Sequence, residues 1–230
     1  MTAIFVTGTG TDIGKTFVSA ALIRHWRAAG RSVDAIKPVV SGFNAAAPAA
    51  SDPGALLEAL GRPLTAAEID RIAPWRFAAA LSPDLAARQE GRVMEFNALI
   101  RFCDEAIARK NDFLLIEGVG GVMVPLGGSH TVLDWMKALR LPLLLVTGSY
   151  LGTISHTLTA LHVLAQRNLD IAAIVVSESE SERGGATLGD TVATIGRFAN
   201  GIEVVGVPRL GSYAQADPAF DRIARAVEIA

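Results

Sequence analysis

Val6-Thr7-Gly8-Thr9-Gly10-Thr11-Asp12-Ile13-Gly14-Lys15-Thr16 is the stretch that decides the fold. The apolar run Ala3–Thr7 leads into it, and the amphipathic segment Lys15–Ala28 leads out of it. This is strand, glycine-rich loop, helix. From Gly8 the spacing reads G-x-x-x-x-x-G-K-T, one residue longer than the shortest phosphate-loop pattern. The physics is unchanged by that residue. Backbone N–H groups of such a loop and of the following helix N-terminus converge on an anion. Lys15 would reach phosphate oxygens, and the Thr16 hydroxyl is placed to ligate Mg²⁺. Asp12 reads either as a ligand or as an acid that complements the helix macrodipole.

Working outward, short apolar runs alternate with longer amphipathic ones. The runs Val33–Lys37, Phe113–Glu117, Pro142–Thr147, Ile171–Val176 and Glu203–Val207 join Ala3–Thr7 as candidate strands. Most are continuously apolar, as strands covered on both faces should be. Candidate helices are Pro53–Leu60, Glu95–Ala108, Thr131–Leu139, Thr153–Gln166, Ala186–Phe198 and Pro218–Ile229, beside Lys15–Ala28. The Ala/Pro-rich Asn44–Ser51 reads as a loop. Strand and helix in alternation predict an α/β protein with a mostly parallel sheet and helices on both faces. No internal repeat or linker interrupts the chain, so we expect one domain over residues 1–230.

Composition agrees. Of the 230 residues, 50% are apolar and 19% are charged, which is far from the signature of disorder. The formal net charge of −2 supplies no global field toward nucleic acid. Cys103 is the one cysteine, which excludes an intramolecular disulfide and a multi-cysteine zinc site. The start of the chain does not read as a secretory signal, and Leu141–Val146 is too short to span a bilayer. We expect a cytoplasmic protein with neither a membrane nor a nucleic-acid partner.

In such sheets ligands gather at the carboxyl ends of the strands. There the sequence places Glu117, followed by Gly118-Val119-Gly120-Gly121. A carboxylate at that position suits a metal beside the phosphate loop, and the glycines admit close backbone approach. Lys37-Pro38-Val39-Val40-Ser41-Gly42 follows the second strand, with an ammonium and a hydroxyl four residues apart. Gly152-Thr153 opens a helix whose first N–H groups favour an anion, although a plain cap by Thr153 or Ser149 accounts for the same residues.

Taken in order, Gly8–Thr16, Lys37–Gly42, Ser51-Asp52, Ser82-Pro83, Gln89-Glu90-Gly91, Glu117–Gly121 and Leu151-Gly152-Thr153-Ile154-Ser155-His156 resemble the dethiobiotin synthetases, a family of the P-loop NTPase superfamily. The resemblance runs from the first strand to about Leu210. It implies a homodimeric ligase of biotin biosynthesis that uses ATP and Mg²⁺. The ligase would take 7,8-diaminononanoate and CO₂, phosphorylate the carbamate of one amine, and let the second amine close the ureido ring. It further implies roles for residues. Thr16, Asp52 and Glu117 would hold Mg²⁺. Lys15, Lys37 and Thr11 would serve the reaction, with Thr11, Lys37 and Ser41 facing the carbamate. Asp12, Ile13, Gly14, Lys15, Thr16, Phe17, Gly118, Val119 and Gly120 would line the nucleotide. Leu151, Gly152 and Thr153 of the other subunit would meet the remote carboxylate. Ser177 and Glu178, with Pro208-Arg209-Leu210, would flank the base.

Three positions depart from the family's usual pattern. Ser177 stands where relatives commonly have an Asn that reads adenine, so one hydroxyl replaces a donor and an acceptor, and the choice of ATP, CTP or GTP stays open. Asp12 stands where many have Glu, and Asp84 follows Ser82-Pro83 where many have His. The rival reading is a partitioning-type nucleotide-switch ATPase, which usually carries a second lysine early in the loop. Here no lysine precedes Lys15. His25, His130, His156 and His162 lack metal-ligand spacing, and Trp26, Trp75 and Trp135 read as core.

Overall fold

The computed structural model describes residues 2–109, 111–179, 187–209 and 218–229. Its elements, in order, are β1 (Thr2–Gly8), α1 (Lys15–Ala28), β2 (Val33–Ile36), β3 (Val39–Ser41), α2 (Asp52–Leu60), α3 (Ala66–Ile72), β4 (Trp75–Phe77), α4 (Pro83–Gln89) and α5 (Phe96–Ile107). There follow β5 (Phe113–Glu117), β6 (Pro125–Gly127), β7 (His130–Thr131), α6 (Val132–Leu139), β8 (Leu143–Gly148), α7 (Thr153–Gln166), β9 (Ile171–Ser177), α8 (Leu188–Phe198), β10 (Glu203–Val207) and α9 (Pro218–Ile229).

Six strands form one sheet in the order β10-β9-β8-β1-β5-β2. Every neighbouring pair in it is parallel. The expected architecture is therefore found, with the loop after β1 at the middle of the sheet. Strands β1, β5 and β8 are almost wholly buried, which is why their sequences are mostly apolar, with the polar Thr7, Glu117 and Thr147 near their carboxyl ends. Strand parity shows how the two faces are covered. Ile4 is registered with Leu115, so Phe113 and Leu115 share a face with Ile4, and Phe5 lies on the other. Trp26 of α1 stacks on Phe113 at 4.3 Å, whereas Trp135 of α6 meets Phe5 edge-on at 4.9 Å. Helices α1 and α6 thus cover opposite faces. Glu117 has the parity of Phe113 and points to the α1 side.

Predicted bounds shift by a residue or two where a cap or a turn intervenes. The expected strand Val33–Lys37 ends at Ile36, which leaves Lys37 just past the sheet. The expected helix Thr131–Leu139 begins at Val132, because Thr131 forms a capping box with Asp134. The expected helix Pro53–Leu60 gains Asp52, with Ser51 as its N-cap. Of the expected helix Ala186–Phe198, Ala186 lies outside the described residues and the observed helix starts at Leu188. Asn44–Ser51 is a loop with one 3₁₀ turn at Pro48–Ala50.

Residues 39–91 hold what the periodicity missed. β3 and β4 pair in parallel, Val39 with Trp75 and Ser41 with Phe77, as a second small sheet beside the main one. α3 and α4 have seven residues each. Three-residue strands and two-turn helices are too short to print a period. The short hairpin β6–β7 escaped for the same reason.

Candidate active site

The phosphate loop ends at Gly14, whose φ of 95° lies in the left-handed region. A Cβ there would also stand 2.6 Å from Ser177 Oγ, so glycine is required on both conformational and steric grounds. Asp12 adopts a φ of 56°, a conformation that Asp tolerates better than most residues. No side chain caps α1, so the first-turn N–H groups stay directed at the loop. Lys15 is buried, and its Nζ donates to Gly10 O at 2.6 Å. Burial, with the Lys37 ammonium adding to it, pulls Lys15 down to about 8.

Beneath the loop lies a buried ionic cluster. Glu117 Oε1 accepts from Thr16 Oγ1 at 2.6 Å and from Lys37 Nζ at 2.6 Å. Lys37 Nζ also pairs with Asp52 Oδ2 at 3.1 Å and donates to Gly118 O at 3.2 Å. Burial alone would lower the Lys37 ammonium. The Glu117 and Asp52 carboxylates outweigh it, and Lys37 is raised above its ordinary value. Burial likewise opposes ionisation of Asp52, but Lys37 and a Thr16 hydrogen bond hold it below the usual carboxylate range. Both groups are therefore charged at neutral pH.

Glu117 is fully buried, yet its second oxygen, Oε2, has no partner among the described residues. A buried carboxylate oxygen without a donor is costly unless a cation completes it. With the Thr16 hydroxyl and the Asp52 carboxylate alongside, the donors are hard oxygens, the set that suits Mg²⁺ rather than zinc. The residues present fit the ion.

Above this cluster opens a cavity of about 780 Å³. The loop residues Thr11, Asp12, Gly14, Lys15, Thr16 and Phe17 line one side, Lys37, Ser41 and Asp52 another, and Val119 and Gly120 a third. Residues expected from the motifs and residues implied by the family resemblance thus line one cavity. Ile13 is buried behind the loop and Gly118 contributes its carbonyl to Lys37, so both support the cavity rather than line it. Ser41 Oγ is buried with no partner among the described residues, although Ser41 borders the cavity. The fourth wall is Ala80, Leu81, Ser82 and Pro83, carried there by β4 and α4. The Ser82-Pro83 motif is visible in the sequence, whereas its place in the lining of this cavity comes from the fold. Glu90, from the Gln89-Glu90-Gly91 motif, accepts from Ala78 N at 2.7 Å and pairs with Arg92. It braces this wall from behind. Asp84 accepts from Ser82 Oγ at 2.6 Å.

Other expected site residues stand apart from the cavity. Ser177 abuts Gly14 on the far side of the loop. Glu178 ties two strand ends together, because its N–H donates to Val207 O and its carboxylate accepts from Arg209 N at 2.9 Å. Pro208 and Arg209 are exposed beside it, and Leu210 lies outside the described residues. At the head of α7, Leu151 is fully exposed, and the N-cap is Gly152, with a φ of 94°, rather than Thr153 or Ser149. Thr153 is buried, and its hydroxyl donates inward to Gly148 O at 2.7 Å. Its side chain therefore does not face a ligand.

Among the described residues no group of three or more His, Cys, Asp or Glu side chains forms a metal cage. No described helix is long and apolar enough to cross a membrane. Cys103 is buried in α5, and burial pushes its thiol up to about 12.

The chain matches a family described as an AAA domain over residues 2–215. It is 48% identical over 225 residues to the ATP-dependent dethiobiotin synthetase BioD of Phenylobacterium zucineum, covering 97% of this chain and 96% of the relative. It is 50% identical over 214 residues to the protein of the same description from Caulobacter vibrioides, covering 93% and 95%. Among solved structures it is similar to the cell division ATPase MinD of Pyrococcus furiosus, with a TM-score of 0.58 and 15% identity over 100% of this chain and 99% of that one. It is also similar to the septum site-determining protein MinD complexed with Mg-ADP from Pyrococcus horikoshii, with a TM-score of 0.57 and 14% identity over 99% and 95%. At those identities the structural likeness carries the fold alone. The sequence relatives carry more: spanning nearly the whole chain at about half identity, they show that this protein belongs to the ATP-dependent dethiobiotin synthetase family.

Proposed function

We propose that the protein makes dethiobiotin, the product its family is named for, from 7,8-diaminononanoate and CO₂ with ATP. The observation that supports this most is the lining of one cavity by two buried ammonium groups, Lys15 and Lys37, together with Thr16 and Asp52, while the buried Glu117 carboxylate accepts from Thr16 and Lys37 beneath. Two anions, a carbamate and a triphosphate, must touch in this reaction. Contact between like charges needs cations fixed in advance.

The loop N–H groups and Lys15 hold the phosphates, and Asp12, Ile13, Gly14, Phe17, Val119 and Gly120 shape the nucleotide's bed. Thr16, Asp52 and Glu117 would hold Mg²⁺. When bound, that ion neutralises charge on the phosphate oxygens and orients them. Lys37 is fixed by Glu117 and Asp52 so that its ammonium faces the cavity. There it draws the carbamate oxygen toward the γ-phosphorus, with Thr11 and the Ser41 hydroxyl, which has no partner among the described residues, supporting the carbamate. The carbamate O–P bond forms as the bond to ADP breaks. The second amine then attacks the carbamoyl carbon, phosphate leaves, and the amine's proton passes to solvent. The protein's contribution is positioning and charge stabilisation.

The enzyme is read as a homodimer. Met123 is 56% exposed, and with Val124 and Pro125 it forms one side of an apolar groove whose other side is Ala160 and Val163 of α7. A second protomer would cover this groove. Leu151, Gly152 and Thr153 of one protomer would then meet the substrate's remote carboxylate on the other, through backbone N–H groups of the α7 first turn. Ser177, Glu178, Pro208 and Arg209 would flank the base, with Ser177 supplying one hydroxyl where an amide would supply two groups. We read the reaction as cytoplasmic.

The test is phosphate release from ATP. It should require both 7,8-diaminononanoate and bicarbonate. Turnover indifferent to the diamine contradicts the reading and favours a nucleotide switch.

A further inference from the structure

Behind the phosphate loop, four threonine hydroxyls meet in a knot that the reaction above leaves unused. Thr147, buried at the end of β8, places its Oγ1 3.0 Å from Thr9 Oγ1, 2.8 Å from Thr153 Oγ1 and 2.9 Å from Thr157 Oγ1. Thr153 Oγ1 donates to Gly148 O at 2.7 Å, and Thr157 Oγ1 donates to Thr153 O at 2.8 Å. Each hydroxyl has one proton to give. Four protons therefore serve five short contacts, and one contact goes without a proton in any single arrangement.

In each contact of Thr147 either hydroxyl can be the donor. Thr153 and Thr157 give their protons to carbonyls, so the arrangement that serves the most contacts has Thr147 donating to one of them and Thr9 donating to Thr147. The chain of donors runs from the phosphate loop, through the middle of the sheet, to the first turn of α7. If Thr9 turns its proton elsewhere, Thr147 donates back to Thr9. Thr153 or Thr157 is then drawn to donate to Thr147 and gives up its carbonyl. The loss of Thr153 to Gly148 O would free the turn that carries Leu151 and Gly152. Buried hydroxyl networks polarise their members, so the arrangements are coupled rather than independent.

We propose that Thr147 is a positioning residue that couples the phosphate loop to the head of α7, so that nucleotide and the substrate's carboxylate bind cooperatively. The proposal rests on the reading that the α7 head meets that carboxylate. If the α7 head serves the other protomer's substrate, the coupling passes between two active sites. Reciprocity follows from linkage, since whatever nucleotide does for the carboxylate, the carboxylate does for nucleotide.

The experiment is calorimetric titration of the full-length enzyme with 7,8-diaminononanoate, with and without MgADP. The unaltered enzyme, Thr147→Val and Thr147→Ser are compared, and each is also titrated with the same diamine lacking the carboxylate. MgADP should tighten diaminononanoate binding to the unaltered enzyme by about fivefold or more. Thr147→Val should bring that factor to about one, and Thr147→Ser, which keeps the hydroxyl, should retain it. A purely structural role would weaken both ligands in Thr147→Val without erasing their mutual effect. Should Thr147→Val fail to fold, Thr9→Val cuts the same chain from its half-buried end. Coupling absent from the unaltered enzyme, or kept in the folded valine variant, overturns the proposal. Equal affinity for the carboxylate-free diamine overturns the carboxylate reading and the proposal with it. Unequal affinity with coupling unchanged in Thr147→Val overturns the proposal alone.

Discussion

Two buried acids, Glu117 and Asp34, sit on neighbouring strands and are treated in opposite ways. Asp34, near the start of β2, is met by Arg62 at 2.9 Å, Arg71 at 3.2 Å and Arg109 at 3.3 Å. Its oxygens also accept from Ala35 N. Glu117, at the end of β5, has Thr16 and Lys37 on one oxygen and nothing on the other among the described residues. Asp34 is saturated by groups from three separate segments and pins them together. Glu117 keeps a lone oxygen beneath a cavity lined with cations. A buried charge with every valence filled is architecture, and one left partly open at a strand's carboxyl end is a site.

The comparison can be broken from the Glu117 side first. Lys37→Met keeps the length of the side chain and removes the ammonium. We expect turnover to fall by about 10²–10³, the usual cost of deleting one group that stabilises transition-state charge. MgATP affinity should change by about threefold at most, since the group Lys37 serves is the transferring one. Steady-state kinetics beside equilibrium nucleotide binding separates the two. An equal loss in both assigns Lys37 to the nucleotide.

Asp34→Asn is the matched change on the architectural side. It leaves three guanidinium groups without their anion. Each is about a third exposed, which moderates the effect. We expect a loss of about 2 kcal/mol. For a chain of this size that is a fall of about 4–8 °C in Tm by calorimetry. Turnover of the folded fraction should stay within about twofold, and a large loss of turnover with Tm unchanged would erase the distinction.

The smallest effect concerns pH. Lys15 is held near 8 by burial and by Lys37. A lysine lowered in this way is charged below that value and neutral above it. Nucleotide affinity should therefore be level up to about pH 7.5 and weaken by up to tenfold per pH unit above about pH 8. MgADP binding followed by fluorescence checks this, and Lys15→Arg, which stays charged, should flatten the profile.

The same contrast explains what was legible in the sequence. The loop Gly8–Thr16, Lys37 and Glu117 follow strands whose apolar runs are unmistakable, so their shared end of the sheet follows from topology. Asp52 was found through its family motif rather than through its spacing. The wall at Ala80–Pro83 stayed hidden because β3, β4 and α4 are too short to show a period. Asp34 carries no signal in the sequence, since its three arginines come from positions 62, 71 and 109. The threonine knot was equally invisible. Thr9, Thr147, Thr153 and Thr157 belong to three elements, and a hydroxyl gives no pattern until its neighbours are fixed in space. Thr153 shows the limit, because the sequence leaves open whether it caps the helix or lends a backbone N–H to an anion, and its hydroxyl donates inward to Gly148 O.

The central claim is that this rim brings a carbamate oxygen into contact with the γ-phosphorus. Turnover with oxygen-18 bicarbonate, followed by mass spectrometry of the released phosphate, tests it most directly. The account predicts that label enters the phosphate in step with dethiobiotin formed. Phosphate that carries only solvent oxygen while the ring still closes would contradict it.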